Sequence, residues 1–199
     1  MAIFSLHLND KRCVRTQEAV ESAFFCFYTK HTWLKKLPVV GLCKLANIST
    51  PTFYRHYAGL HEVAEARRKK IKKQLKKYLE GDVRLIINLM RLFKFVSDNK
   101  LYYEANMFQM YSKPFEDIKK ILESTILEYI RLVRKMSRAK EVDDWICYEV
   151  SDYVILELRW WIVEEGFDSR KIDERITEIL LYTRQRIEDA DKRIREELG

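Results

Sequence analysis

The sequence predicts an all-α protein, and three observations carry that prediction. Five Gly and three Pro are spread over 199 residues. Long helices tolerate such scarcity, whereas sandwiches and barrels need many more turn residues. Apolar residues recur three and four apart through nearly every segment, the spacing of a helix that buries one face. The breaks in that pattern fall on residues suited to end a helix, notably Asn47, Gly81 and Gly166. With 47% apolar residues the chain can bury a packed core in one or two small domains. It shows no internal repeat and no low-complexity linker.

Taken in order, Val20, Ala23, Phe24, Phe27 and Tyr28 mark a first helix, with Thr16 as its expected N-cap and an end near Lys30. Trp33, Leu34 and Leu37 make an apolar connector. Pro38 can open a second helix, because its missing N–H costs nothing in a first turn. Val39, Leu42, Cys43 and Ala46 give that helix an inward face two turns long. Asn47 breaks it, Asn being a residue that enters left-handed backbone readily. Ile48 plugs the corner, Ser49 or Thr50 caps the next helix, and Pro51 lies in its first turn. Phe53 and Tyr57, four apart, face one way. A helix, a tight turn and a helix thus follow one another within residues 39–57.

A fourth helix is expected over about 60–79. It carries Arg67, Arg68, Lys69, Lys70, Lys72, Lys73, Lys76 and Lys77 around an inner stripe of Val63, Ala64, Ile71, Leu75, Tyr78 and Leu79. The basic run suits a localisation patch, a phosphate-binding surface or a solvated connecting helix. Glu80-Gly81-Asp82 stops it. Further helices are expected over about 83–97, 100–110, 114–137, 141–165 and 170–197. The fourth of these is apolar on nearly every side, from Trp145 to Val163, so it needs cover all round. The last carries Ile176, Leu180, Thr183, Ile187, Ala190 and Ile194 at spacings of four and three, a coiled-coil-like seam. Two neighbouring helices with such faces suggest a four-helix interface between two subunits, or packing within one chain alone. The expected domains are 1–60, a linking helix over 60–80, and 81–199.

Residues 1–80 hold 16 Lys and Arg against 6 Asp and Glu, a net +10; residues 81–199 hold 21 against 24. That asymmetry points to a polyanion-binding N-terminal part, or to a solvated basic surface. The start, Met1 to Leu8, is too short and mixed for a secretory signal, and no apolar run approaches the roughly 20 residues of a membrane span. A cytoplasmic protein with no membrane partner is expected. Cys13, Cys26, Cys43 and Cys147 form no CxxC and no cluster with metal spacing, so they read as small reduced hydrophobes. No metal or cofactor is expected. HExxH, GxGxxG and GxxxxGK[ST] are all missing, and the adjacent pairs Asp143-Asp144 and Glu164-Glu165 point to different helix faces. An enzyme is not expected.

Residues 12–66 resemble the DNA-binding domain of the tetracycline-repressor (TetR) family of one-component transcriptional regulators. Ala46, Ser49, Thr52, Phe53, Tyr54 and His56 match that family's pattern, and Leu42, Ile48, Tyr57 and Val63 are close substitutions. Arg15 to Val20 resembles its first helix. Trp160 to Gly166 followed by Ser169 resembles the turn between its two dimerisation helices. Pro38, Asn47 and Leu60 depart from the family's Thr, Gly and Lys.

The resemblance implies an N-terminal three-helix domain with a helix-turn-helix, and a C-terminal helical domain for ligand binding and dimerisation. It implies a sequence-specific regulator, a repressor released by a small-molecule effector, bound as a homodimer to a palindromic duplex operator. The recognition helix enters the major groove. Thr50, Pro51 and Thr52 at its start are candidates for base edges, and Arg55 for guanine or phosphate. Tyr54 and His56 resemble the family's phosphate-contacting positions, with Lys44 as a further candidate. Arg12 and Arg15 suit a basic arm. The implied effector pocket draws on Phe93, Tyr102, Tyr103, Phe108, Tyr111, Tyr129, Trp145, Tyr148 and Asp152, and the implied subunit seam on Trp160, Trp161, Ile176, Leu180, Thr183 and Ile187. The alternative is a helical protein-interaction module, or one that binds nucleic acid without sequence preference, built on a degenerate helix-turn-helix.

Overall fold

A computed structural model describes residues 11–31, 36–81, 84–107, 113–134 and 140–198, with side chains through 196. In chain order the described residues form α1 (Lys11–Lys30), α2 (Val39–Leu45), α3 (Thr50–His56), α4 (Leu60–Leu79), α5 (Leu85–Asp98), α6 (Lys100–Ala105), α7 (Lys113–Arg134), α8 (Lys140–Val163) and α9 (Ile172–Leu198). A 3-10 turn, Ser169–Lys171, precedes α9. No strand occurs among the described residues, so the fold is all-α as the composition requires.

The chain divides into two compact units. The first takes Met1–Ile71 and Leu101–Met110, the second Lys72–Lys100 and Tyr111–Gly199. The division falls inside α4. In the first unit α1 packs on α2, and α2 on α3. Its core holds Val20, Phe24, Phe25 and Tyr28 of α1, Leu42 and Cys43 of α2, Phe53 of α3, then Tyr57 and Val63. Phe24 meets Phe25 and Tyr28 edge-on at centroid distances of 5.1 and 5.0 Å. Phe25 meets Tyr102 of α6 in the same way at 5.2 Å. Such edge-to-face pairs add about 0.5–1.5 kcal/mol each beyond area burial.

Thr16 does not cap α1, which begins five residues earlier at Lys11. Its hydroxyl instead donates to the Arg12 carbonyl at 2.9 Å. A threonine inside a helix satisfies its own side chain this way and leaves the helix unbroken. Pro38 stands one residue before α2, as its N-cap.

In the second unit α8 is the central element, packed on α7 and on α9, while α5 packs on α9 and α7. Ile146, Val150, Val154, Leu158 and Trp161 form the buried face of α8. Its opposite face, which an all-round apolar pattern led us to expect covered, is exposed in the single chain: Trp145, Tyr148, Leu156, Trp160 and Val163. The seam of α9 turns inward. Ile176, Thr183 and Ile187 are buried, Leu180 is half-buried, and Leu181 beside it is exposed.

Charged side chains fasten these helices. Arg134, at the end of α7, is buried and paired with Asp143 at the start of α8. It also pairs with Asp191 of α9 at 2.9 Å. Arg175 of α9 reaches Glu157 of α8 at 2.9 Å. After α8 the backbone turns through two consecutive left-handed residues, Gly166 (φ 58°) and Phe167 (φ 65°). A phenylalanine there costs about 1–2 kcal/mol. Its ring is held edge-on to Trp161 at 5.2 Å, the Phe167 N–H donates to the Trp161 carbonyl at 3.2 Å, and the Trp161 indole N–H donates to the Asp168 carbonyl at 2.8 Å.

Candidate nucleic-acid interface

The turn between α2 and α3 is built from local chemistry. Ala46 closes α2 with its N–H on the Leu42 carbonyl. Asn47 then enters left-handed backbone at φ 52°. The Ile48 N–H donates to the Cys43 carbonyl at 3.0 Å, which satisfies a helix-end acceptor and folds the chain back. Ser49 is extended (φ −80°, ψ 151°), and its hydroxyl oxygen accepts the Thr52 N–H at 3.2 Å. With Pro51 in the first turn, α3 starts at Thr50. Gly41 sits where α2 returns past the connector: a Cβ there would stand 3.3 Å from the Pro38 ring.

Phe53 and Tyr57 are the buried anchors of α3, and the remaining positions form its outer surface. Pro51, Tyr54 and Arg55 are exposed, while Thr50, Thr52 and His56 are half-exposed. Lys44, in the last turn of α2, is exposed as well. The Thr52 hydroxyl lies 2.8 Å from that of Ser49 and accepts from the Arg55 guanidinium at 3.2 Å. Arg55 is thereby folded along α3 with its other donors free of this contact. The site residues thus occupy every position of α3 except the buried Phe53, over an arc of about 240°, with Lys44 in the last turn of α2. Val40 and Leu45 of α2 are exposed too.

Four contacts hold this surface in place. The Tyr57 hydroxyl donates to Glu21 of α1 at 3.5 Å, and Arg67 of α4 donates to the same carboxylate at 3.3 Å. Glu21 is buried, so one carboxylate links the residue that follows α3 to both α1 and α4. Burial, then the adjacent Glu21 charge, pushes the Tyr57 phenol far above its ordinary range and keeps it a donor. The Cys13 sulfur lies 3.6 Å from Nδ1 of His56. Partial burial, and then the neighbouring Arg55 charge, hold the His56 imidazole below its usual pKa. Behind α3, the Glu62 carboxylate accepts the Ala58 N–H at 2.5 Å and fixes the entry to α4. Apart from the local Glu62–Ala58 contact, the partners stand 36, 43 and 46 residues apart, and no spacing rule in the sequence brings them together.

The candidate effector residues differ in burial and are divided between the two units. Phe93 is wholly buried in the second unit with its ring 5.0 Å from that of Trp161. Tyr102 and Tyr103 are buried in the first unit with their rings 5.1 Å apart. Trp145 and Tyr148 are exposed on α8, and Tyr129 is half-buried. Lys119 lies 3.6 Å over the Tyr148 ring and pairs with the exposed Asp152 at 2.6 Å, which gives that carboxylate an internal partner. Phe108 and Tyr111 lie outside the described residues. Of the seam residues, Trp160 is exposed, whereas Trp161 is buried within its own chain along with Ile176, Thr183 and Ile187. Among the described residues no group of His, Cys, Asp and Glu is arranged to hold a metal, and no helix is long and apolar enough to cross a membrane.

No family model matches the sequence, and no curated protein does. Solved structures do. The dihydroxyacetone kinase operon activator DhaS superimposes with a TM-score of 0.60 at 16% identity, over 85% of this chain and 96% of its own. A protein from Syntrophomonas wolfei str. Goettingen, described as a TetR-family transcriptional regulator, does so with a TM-score of 0.60 at 15% identity, over 86% and 94%. Both alignments run nearly the full length of the solved chains. The all-α architecture, with a helix, tight turn and helix in its first unit, is therefore the fold of the TetR-like regulators.

Proposed function

We propose that this protein is a sequence-specific DNA-binding transcriptional regulator that reads a duplex operator with α3. The observation that carries the reading is the Asn47–Ser49 turn. It sets α3 on a buried Phe53–Tyr57 anchor and leaves Pro51, Tyr54 and Arg55 exposed beside Thr50 and Thr52. Small and polar side chains at the start of a helix suit base edges: a Thr or Pro methylene can meet a thymine methyl, and a Thr hydroxyl can bond either base type. Tyr54, His56 and Lys44 suit phosphates, which fix register without reading sequence. The net charge of +10 over residues 1–80 supplies the attraction for a polyanion.

The regulator works as a homodimer in the cytoplasm, and its subunits pair through the outward face of α8. Leu156, Trp160 and Val163 are exposed along that face, with Leu181 of α9 also exposed. A monomer gains by covering apolar surface of this kind, and two copies related by a two-fold axis present the same stripe to each other. In the finer reading the protein is a repressor, released when a small effector prefers one spacing of the two recognition helices. The effector shifts DNA affinity only by its differential affinity for the two states. Activation is a second reading, favoured by one observation, that the structurally similar DhaS is described as an operon activator.

Binding of the purified wild type and of Arg55→Ala to a duplex selected from a random pool tests the assignment of α3. The variant is expected to bind about tenfold or more weaker, in line with about 1–3 kcal/mol for a lost base contact, with unchanged melting. Equal affinity would remove Arg55 from the DNA-contacting residues of α3.

A further inference from the structure

The basic residues of α4 fall into two groups. Arg67 pairs with Glu21, Arg68 with Glu65, and Lys72 with Asp117 at 2.8 Å. Lys69, Lys70, Lys73, Lys76 and Lys77 are all exposed, and among the described residues none has a carboxylate within ion-pair distance. At 100° per residue these five fall on one arc of about 120° and span about 12 Å of helix. Ile71, Leu75 and Leu79 turn the other way and are buried. The carboxylates nearest in sequence are engaged at the helix start, Glu62 with the Ala58 N–H and Glu65 with Arg68, which leaves Glu80 just past its end.

Like charges three and four apart on a helix repel, and this arc holds several such pairs. A surface that concentrates them and excludes counter-charges is matched to an extended polyanion. Five lysines over about 12 Å are spread too widely for a small anion. Lysine, a point charge on a flexible stem, suits backbone phosphates and reads no bases. A helix that lies on a membrane needs its apolar side free to insert, and here that side is already buried in protein. Duplex DNA carries a negative charge about every 1.7 Å of its axis, so its phosphates meet the whole stripe. The stripe begins about 13 Å along α4 from Leu60, away from the helix end that follows α3. A duplex held by α3 is present at high effective concentration for a second contact on the same chain.

We infer that the Lys69–Lys77 face of α4 is a second, sequence-independent docking surface for duplex DNA outside the site read by α3; the inference rests on the regulator reading. The test uses the full chain and two duplexes that carry the selected site. One is trimmed to the site, and the other is extended on each side by two helical turns of unrelated sequence. The wild type is expected to bind the extended duplex about tenfold tighter, with a salt slope steeper by about 0.9 for each added phosphate contact. The triple variant Lys69→Gln, Lys73→Gln, Lys76→Gln should bind the trimmed duplex as the wild type does and gain nothing from the extension. A wild type indifferent to length, or a variant that keeps the full gain, would overturn the proposal. A variant that keeps the gain but loses binding to polyglutamate would assign the face to an acidic protein, which also overturns it. The same pair of lengths made of unrelated sequence separates this outcome from failure of the regulator reading. If the selected site is bound no better than unrelated duplex the reading fails, while the length gain and its loss in the variant still report on the lysine face.

Discussion

His56 and Asn47 are the residues at which the interface meets the physical chemistry of single side chains. In the free protein the His56 imidazole is held below its ordinary pKa by partial burial and by Arg55. The unfolded chain therefore binds the proton more readily, and this residue's contribution to stability is lost as pH falls below about 6.5. A DNA phosphate beside the ring acts in the opposite direction, favouring the imidazolium. Binding then takes up a proton, and affinity is expected to strengthen as pH falls from about 8 to about 6. His56→Gln should flatten that dependence, and an unchanged pH profile in the variant would place the phosphate contact elsewhere. At Asn47 the left-handed backbone decides. Asn47→Gly is expected to leave thermal stability nearly unchanged, while Asn47→Val should cost about 1–2 kcal/mol by chemical denaturation. Equal losses in the two variants would mean that the Asn side chain, and not its backbone, makes the turn.

Elements formed by local rules were legible in the sequence. Asn47, Ser49 and Pro51 announce a stop, a cap and a first turn within five residues, and α3 begins where they say. The links between elements were not legible, because their partners are remote: Tyr57 and Glu21 are 36 residues apart, and Arg134 and Asp191 are 57. The spacing of four and three along α9 told that it buries a stripe, but not against what. The structure turns Ile176, Thr183 and Ile187 inward within their own chain. Trp160 and Trp161 make the same point: adjacent in sequence, they stand about 100° apart on α8, one exposed and one buried. Arg134 joins the ends of α7, α8 and α9. Removing it leaves Asp143 buried without its counter-charge. Arg134→Ala is expected to destabilise the protein by about 3–5 kcal/mol in urea unfolding. A loss below about 1 kcal/mol would show that solvent reaches Asp143 in the variant.

At the scale of the whole molecule, one chain carries a basic N-terminal part and a helical unit with an exposed apolar stripe. A single chain leaves Leu156, Trp160 and Val163 in water, and the proposed dimer covers them. Trp160→Glu is expected to convert a dimer to a monomer in sedimentation, with helix content unchanged, and to weaken operator binding because two linked half-site contacts become one. A dimer that survives this change would move the interface to another face. The proposal that α3 reads sequence in a two-fold arrangement is tested by selecting binding sites from a random duplex pool with the purified protein. The expected result is an inverted repeat whose half-sites lie about one helical turn, or a multiple of it, apart. Binding that follows polyanion charge with no sequence recovered would contradict it.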